Sequence, residues 1–308
     1  MKYKYSGHET FPCRYSWLPK AVNAVRHDPR IFSDEDNAMV VMGVGKNMVR
    51  AIRFWAEVSG VIKSATHGYS ITDFGKNLLG PRGTDPYLED IQTLWLIHWN
   101  ISTQFESPLF AWHFLFNKWQ EPEITRTAVL KAFLKEANQK DESRSLRTLE
   151  NHFDVFIHTY VPTQTFKSMV LEDNLDCPLT ELDLVQVIGE TTINDRRETV
   201  YAFRRDEKPE ISPELFAYCV YDYFMKKHPT EKTLPLREIA IGSGSPGQVF
   251  KLPESDIRER LDGLKKYTNG ILEYKESASL PQIHRSSTQN VPIKSFLRSI
   301  FEGKPIHG

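Results

Sequence analysis

The chain has 308 residues, 40% of them hydrophobic and 26% charged, with a formal net charge of −1. This length exceeds one small core and points to two or three domains, and the apolar content excludes a long disordered chain. A near-zero net charge excludes a global electrostatic field for nucleic acid, so any such binding must rest on local basic patches.

Cys13, Cys177 and Cys219 are odd in number and far apart, which suits a reducing compartment and rules out a cysteine-only four-ligand zinc site. The segment MKYKYSGHETF has no apolar leader, and no apolar run reaches the ~18 residues a membrane span needs. The expectation is a cytoplasmic protein with no membrane span.

The spacing predicts a helix from Trp17 to Val25, then a short helix capped by Ser33 or Asp34 and ended at Gly43. A third helix begins at Lys46. On a helical wheel Met48, Ile52 and Trp55 share one face, whereas Lys46, Arg50, Arg53 and Glu57 share an opposite arc. The stretch after Gly60 reads as two short strands turning at His67 and Gly68, then a helix capped by Thr72 or Asp73. Helix, turn, helix and ribbon is the order of a winged helix. From Lys46 to Lys76 the basic residues Lys46, Arg50, Arg53, Lys63 and Lys76 outweigh Glu57 and Asp73, giving +3 locally.

GPRGTDP, at 80 to 86, is a break, and DIQTLWLIHWNI after it is apolar enough to be a buried helix. A middle region follows with a helix over AWHFLFNKW, another capped near Thr125 or Thr127, and a third aligning Leu146, Leu149, Phe153 and Phe156. From Pro162 to Arg205 the pattern weakens, and VYAFRR has a strand-like alternation too short to assign; ELFAYCVYDYF is again a buried helix. The C-terminal part has a Gly/Ser/Pro loop, a helix with Ile257, Leu261, Leu264 and Tyr267 on one face, and a strand. The expected fold is therefore mainly α with some β, built of winged-helix or helix-turn-helix units. Its expected domains are 1–104, a mostly helical 105–232, and a winged-helix-like 233–308.

GVGKNMVRAIRFW, at 43 to 55, also has the look of a phosphate loop. A Walker-type loop needs a glycine five residues before the Gly-Lys pair and a hydroxyl just after it; here Val40 and Asn47 occupy those places. The alternative is a recognition helix whose first turn reaches DNA: Lys46 neutralises phosphate, Asn47 matches adenine, Arg50 matches guanine, and Arg53 and Lys63 extend the patch. A solvated charged helix face is the bland reading of the same residues.

The motifs GHETFPCRYSWLPK (7 to 20), GVGKNMVRAIRFW (43 to 55), DPYLEDIQTLWLIHWNI (85 to 101) and SPGQVFKL (245 to 252) together resemble a bacterial family of unknown function. That family includes the SspB nicking subunit of the single-stranded DNA phosphorothioation defence system. The resemblance implies a protein that nicks double-stranded DNA beside a cysteine desulfurase, an ATPase and an ATP-pyrophosphatase-like sulfur-transfer protein.

Phosphodiester hydrolysis usually needs a divalent metal held by carboxylates. His8, Glu9, Asp85 and Asp90 are the catalytic candidates, with Glu9, Asp85 and Asp90 as ligands of Mg2+ or Mn2+ if the N-terminal segment folds back beside the turn at 85 to 90. The alternative is that Asp85 caps a helix and Glu89 and Asp90 complement its dipole. Glu273-Tyr274-Lys275 is a weak nuclease-like E-x-K motif, and Arg258, Arg260, Lys265 and Lys266 form a second candidate patch. Cys177 reads as a buried structural thiol, with nothing nearby in sequence to make it reactive. The leading expectation is a metal-dependent DNA-nicking protein, with a non-catalytic DNA-binding adaptor and a protein-interaction scaffold as alternatives.

Overall fold

Chain breakers and caps place the first helices. The computed structural model describes residues 2–140, 142, 144–162, 177–276, 280–286 and 293–301, so 163–176, within the weakly patterned stretch, lie outside the described residues. α1 (Trp17–His27) precedes α2 (Glu35–Met42), where Asp34 is the cap and its carboxylate accepts from the Asn37 N–H. Gly43 ends α2 in the left-handed region at φ 65°, a conformation that favours glycine. α3 (Lys46–Val58) follows after Gly45, with Val49, Ile52, Trp55 and Ala56 facing the core. β1 (Ile62–Ala65) and β2 (Gly68–Ile71) form an antiparallel ribbon, and Thr72 caps α4 (Asp73–Leu79).

The chain packs as two units, one up to Arg204 and one from Arg205 on. The boundary drawn at 104 falls inside the first unit, and the middle segment 105–232 is shared between the two. α5 (Ile91–Ser102) and α6 (Phe110–Asn117) are buried around nearly their whole circumference. They pack with α7 (Arg126–Gln139) and α8 (Leu146–Tyr160), capped by Thr125 and Ser145. Tyr160 sits at the centre of this core: its hydroxyl accepts from Trp112 Nε1 at 2.9 Å and shares a hydrogen bond with His98 Nδ1 at 2.8 Å. Trp95, Trp99, Trp112, Phe116 and Phe156 are fully buried around it, and burial of each such ring stabilises the fold by about 1.5–3 kcal/mol. Leu146, expected on the inner face of α8, is 49% exposed because it occupies the first turn, beyond the packed stretch.

β3 (Val185–Ile193) and β4 (Arg196–Phe203) form a hairpin, turned by Asn194 and Asp195 in the left-handed region. In the second unit, α9 (Pro213–Lys227) is the buried central helix. Around it lie β5 (Thr233–Pro235), α10 (Leu236–Ile241), α11 (Pro246–Phe250), α12 (Glu254–Asp262), α13 (Leu264–Tyr267), β6 (Leu272–Lys275), β7 (Gln282–Arg285) and α14 (Ile293–Ile300). The helix expected through Ile257 and Tyr267 is broken at Gly263, and the single expected strand is one of three, in the order β5-β7-β6. The architecture is mainly α with small antiparallel sheets, as expected.

Candidate nucleic-acid interface

The first-unit site is built on α3. Its interior lacks glycine and proline, and its apolar residues repeat at helical spacing, so one side is pinned to the core while Lys46 and Asn47 are exposed and Arg50, Arg53 and Glu57 are half-buried. Gly45 provides no side-chain cap, which leaves the first-turn N–H groups without one. Lys63 is exposed on β1, and Arg53 lies beside the Tyr69 hydroxyl on β2. The five predicted DNA-contacting residues therefore lie on α3 and the ribbon strand that follows it.

An acid outside the counted charge window changes this surface. Glu35, in the first turn of α2, accepts from Arg50 through a fork, Oε1 to Nε at 2.7 Å and Oε2 to Nη2 at 3.1 Å, and its Oε2 also meets Lys46 Nζ at 2.8 Å. Hydrogen bonds from Arg50 and then Lys46 hold the Glu35 carboxyl down at about 2, so it is anionic at any physiological pH. The helix-turn-helix spacing was the signal for it: a first-turn acid on α2 faces the first two turns of α3.

The N-terminal motif wraps the other flank of α3. Gly7 sits at φ 116°, and a Cβ there would lie 2.5 Å from the Phe54 ring. Glu9 and Thr10 both take left-handed backbone angles, an unusual pair for residues with side chains. Trp55 Nε1 donates to the Phe11 carbonyl at 2.9 Å, tying the segment to α3, and Glu9 comes near enough to Arg50 to strengthen its protonation.

His8 is buried and does not face solvent. Its Nε2 is 2.9 Å from His152 Nδ1, and its Nδ1 accepts the Thr10 N–H at 3.3 Å. That acceptance places the His8 hydrogen on Nε2, which donates to His152. Burial lowers the His8 pKa to about 4 and pushes His152 well below the usual histidine value, so both rings are neutral. His152 went unnoticed in the sequence, although it falls at the inward spacing of Leu149, Phe153 and Phe156.

Asp85 is buried, with one oxygen accepting the Glu89 N–H at 2.9 Å and the other the Asp90 N–H at 3.0 Å. The cap of α5 is Asp90, which accepts from Gln92, and not Asp85. Among the described residues no group of three or more His, Cys, Asp or Glu could hold a metal ion. The expected hard-metal set of His8, Glu9, Asp85 and Asp90 is therefore not assembled, because His8 is paired in the core and both aspartates bind backbone at the start of α5. The described residues do not fit a preformed divalent-metal centre.

The second-unit candidates are largely occupied. Arg260 pairs with Asp256 and donates to the carbonyls of Ile211 and Lys208, both at 2.7 Å, which makes it an interior brace. Arg258 is held by Glu254 and Glu276, while Glu273 of the E-x-K motif pairs with Lys265 and Lys275. Cys13, Cys177 and Cys219 are all free and buried. No described helix is long and apolar enough to cross a membrane.

No curated protein matches the chain. Two solved structures, one of SspB and one of magnesium ion-bound SspB, are each similar to it at 25% identity and a TM-score of 0.80, covering 96% of this chain and 87% of theirs. The family model described as a protein of unknown function, DUF4007, matches residues 5–301, and the chain belongs to that family.

Proposed function

We propose that this protein is a DNA-engaging component of a bacterial phosphorothioate modification system, and that α3 with the β1–β2 ribbon meets the duplex as a winged helix does. What carries the reading is the cationic arc of α3, Lys46, Arg50 and Arg53, on a helix that opens from a glycine turn in a chain similar to SspB over nearly its whole length. Lys46 at the first turn neutralises phosphate, Asn47 and Arg50 face base edges, and Arg53 and Lys63 position the backbone. The partners implied by the family are the cysteine desulfurase, the ATPase and the ATP-pyrophosphatase-like sulfur-transfer protein.

Nicking is the further step that the resemblance implies, and magnesium bound to a similar structure supports a metal in it. Among the described residues no side chains gather as ligands for that ion in advance. The commitment of both Asp85 oxygens to backbone N–H groups favours the second reading, a DNA-binding adaptor that presents the duplex to sulfur-transfer enzymes.

The test is supercoiled plasmid with the purified protein in magnesium, manganese or EDTA, followed by gel separation and a parallel DNA-binding assay. Metal-dependent open circles support the nicking component. Intact plasmid with DNA bound supports the adaptor, and a folded protein that binds no DNA contradicts both.

A further inference from the structure

Arginine offers a carboxylate or a base two bidentate edges: a side edge of Nε and one Nη, and an end edge of the two Nη nitrogens. In Arg50 the side edge is taken. Glu35 accepts from Nε and Nη2, which uses two of the five N–H donors and fixes the plane of the guanidinium. Nη1 has no hydrogen bond to the described residues, and the side chain is 37% exposed, so the end edge is open.

Lys46 is held differently. Its ammonium makes a single contact with Glu35 and the side chain is 53% exposed, a pair that solvent screens and a phosphate can replace. The carboxylates that act on Arg50 are Glu35 from α2 and Glu9 from the N-terminal loop, and Lys46 of α3 shares Glu35 with it. Two carboxylates thus oppose indiscriminate capture of phosphate by Arg50, while the fork keeps its end edge presented.

We infer that Glu35 is a specificity-setting residue: it holds Arg50 so that the end edge reads O6 and N7 of a guanine in the major groove and keeps that arginine off the phosphates. This rests on the proposed engagement of DNA by α3, and it names what the helix reads. A bidentate arginine–guanine contact discriminates by roughly ten- to a hundredfold, but only while the arginine is held in place. Freed from Glu35, Arg50 would swing to the nearest phosphate, which adds affinity without sequence.

The experiment selects duplexes with the full chain from a randomised pool, then replaces each guanine singly by 7-deazaguanine, which lacks N7, and measures affinity by fluorescence anisotropy at several salt concentrations. One guanine is expected whose replacement weakens wild-type binding by roughly tenfold or more. Glu35→Gln should bind the unselected pool severalfold more tightly, with a salt slope steeper by about one, and should lose most of that guanine effect. Arg50→Met, which keeps the apolar stem but has no donor, should lose the guanine effect and keep most pool binding.

A folded Glu35→Gln protein with the wild-type guanine effect and salt slope would overturn the inference and leave Glu35 as a tie between α2 and α3. An unchanged guanine effect in Arg50→Met would overturn it equally, and serves if Glu35→Gln fails to fold. DNA binding with no sensitive guanine would overturn the inference alone, whereas a folded wild type that binds no duplex would remove the DNA reading and the inference together.

Discussion

His8 Nε2 donates to His152 Nδ1 across 144 positions of sequence, and the two rings stack with centroids 5.1 Å apart. This contact fastens the N-terminal motif, which flanks α3, to the inward face of α8. The second ring nitrogen of His152 is buried with no hydrogen-bond partner among the described residues, enclosed by the rings of Tyr5, Phe110 and Trp112. The pair is built to be neutral.

Acid should therefore loosen this corner of the fold. The folded His8 pKa of about 4 lies below the ordinary 6.5, so the stability its neutral form contributes is complete above about pH 6.5 and is lost as pH falls from there toward 4. His152 shifts in the same direction. Melting temperature measured across that window should fall less steeply in His152→Gln than in wild type; parallel curves would show that the pair contributes nothing to acid sensitivity.

Gly7→Ala should lower stability by about 1–3 kcal/mol, because the new Cβ meets Phe54 while the backbone sits in a region that side chains rarely adopt. Thermal melting reads the loss, and an unchanged melting temperature would mean that the N-terminal loop rearranges freely against α3.

Asp85→Ala should cost about 1–3 kcal/mol by leaving the part-buried Glu89 and Asp90 N–H groups without their shared acceptor, whereas Asp90→Ala removes one cap at about 1 kcal/mol. Urea denaturation ranks the two. An Asp85→Ala protein as stable as wild type that had lost a magnesium-dependent activity would restore Asp85 as a ligand.

Local signals carried most of the helices. Gly43, Asp34, Thr72, Thr125 and Ser145 mark ends by backbone freedom or side-chain caps, and these forces act within a few residues. β3 escaped notice because its strand faces solvent on much of its length and slips register between Val187 and Gly189, so no apolar alternation marks it. The cationic arc of α3 was legible as a period of helical turns. Its control by Glu35 and the pairing of His8 were not, since both depend on how separate helices are brought together. Asp85 misled for the same reason: a buried acid beside a helix start has the same spelling whether it binds metal or backbone.

The most direct measurement is duplex binding by fluorescence anisotropy as salt is raised, for wild type, Lys46→Ala and Arg50→Ala, each confirmed as folded. If α3 is the interface, log affinity falls linearly with log salt, Lys46→Ala reduces that slope by about one and weakens binding to all sequences alike, and Arg50→Ala binds selected duplex more weakly by roughly tenfold. Binding identical in all three proteins, or none by the folded wild type, would contradict a role for α3 in engaging DNA.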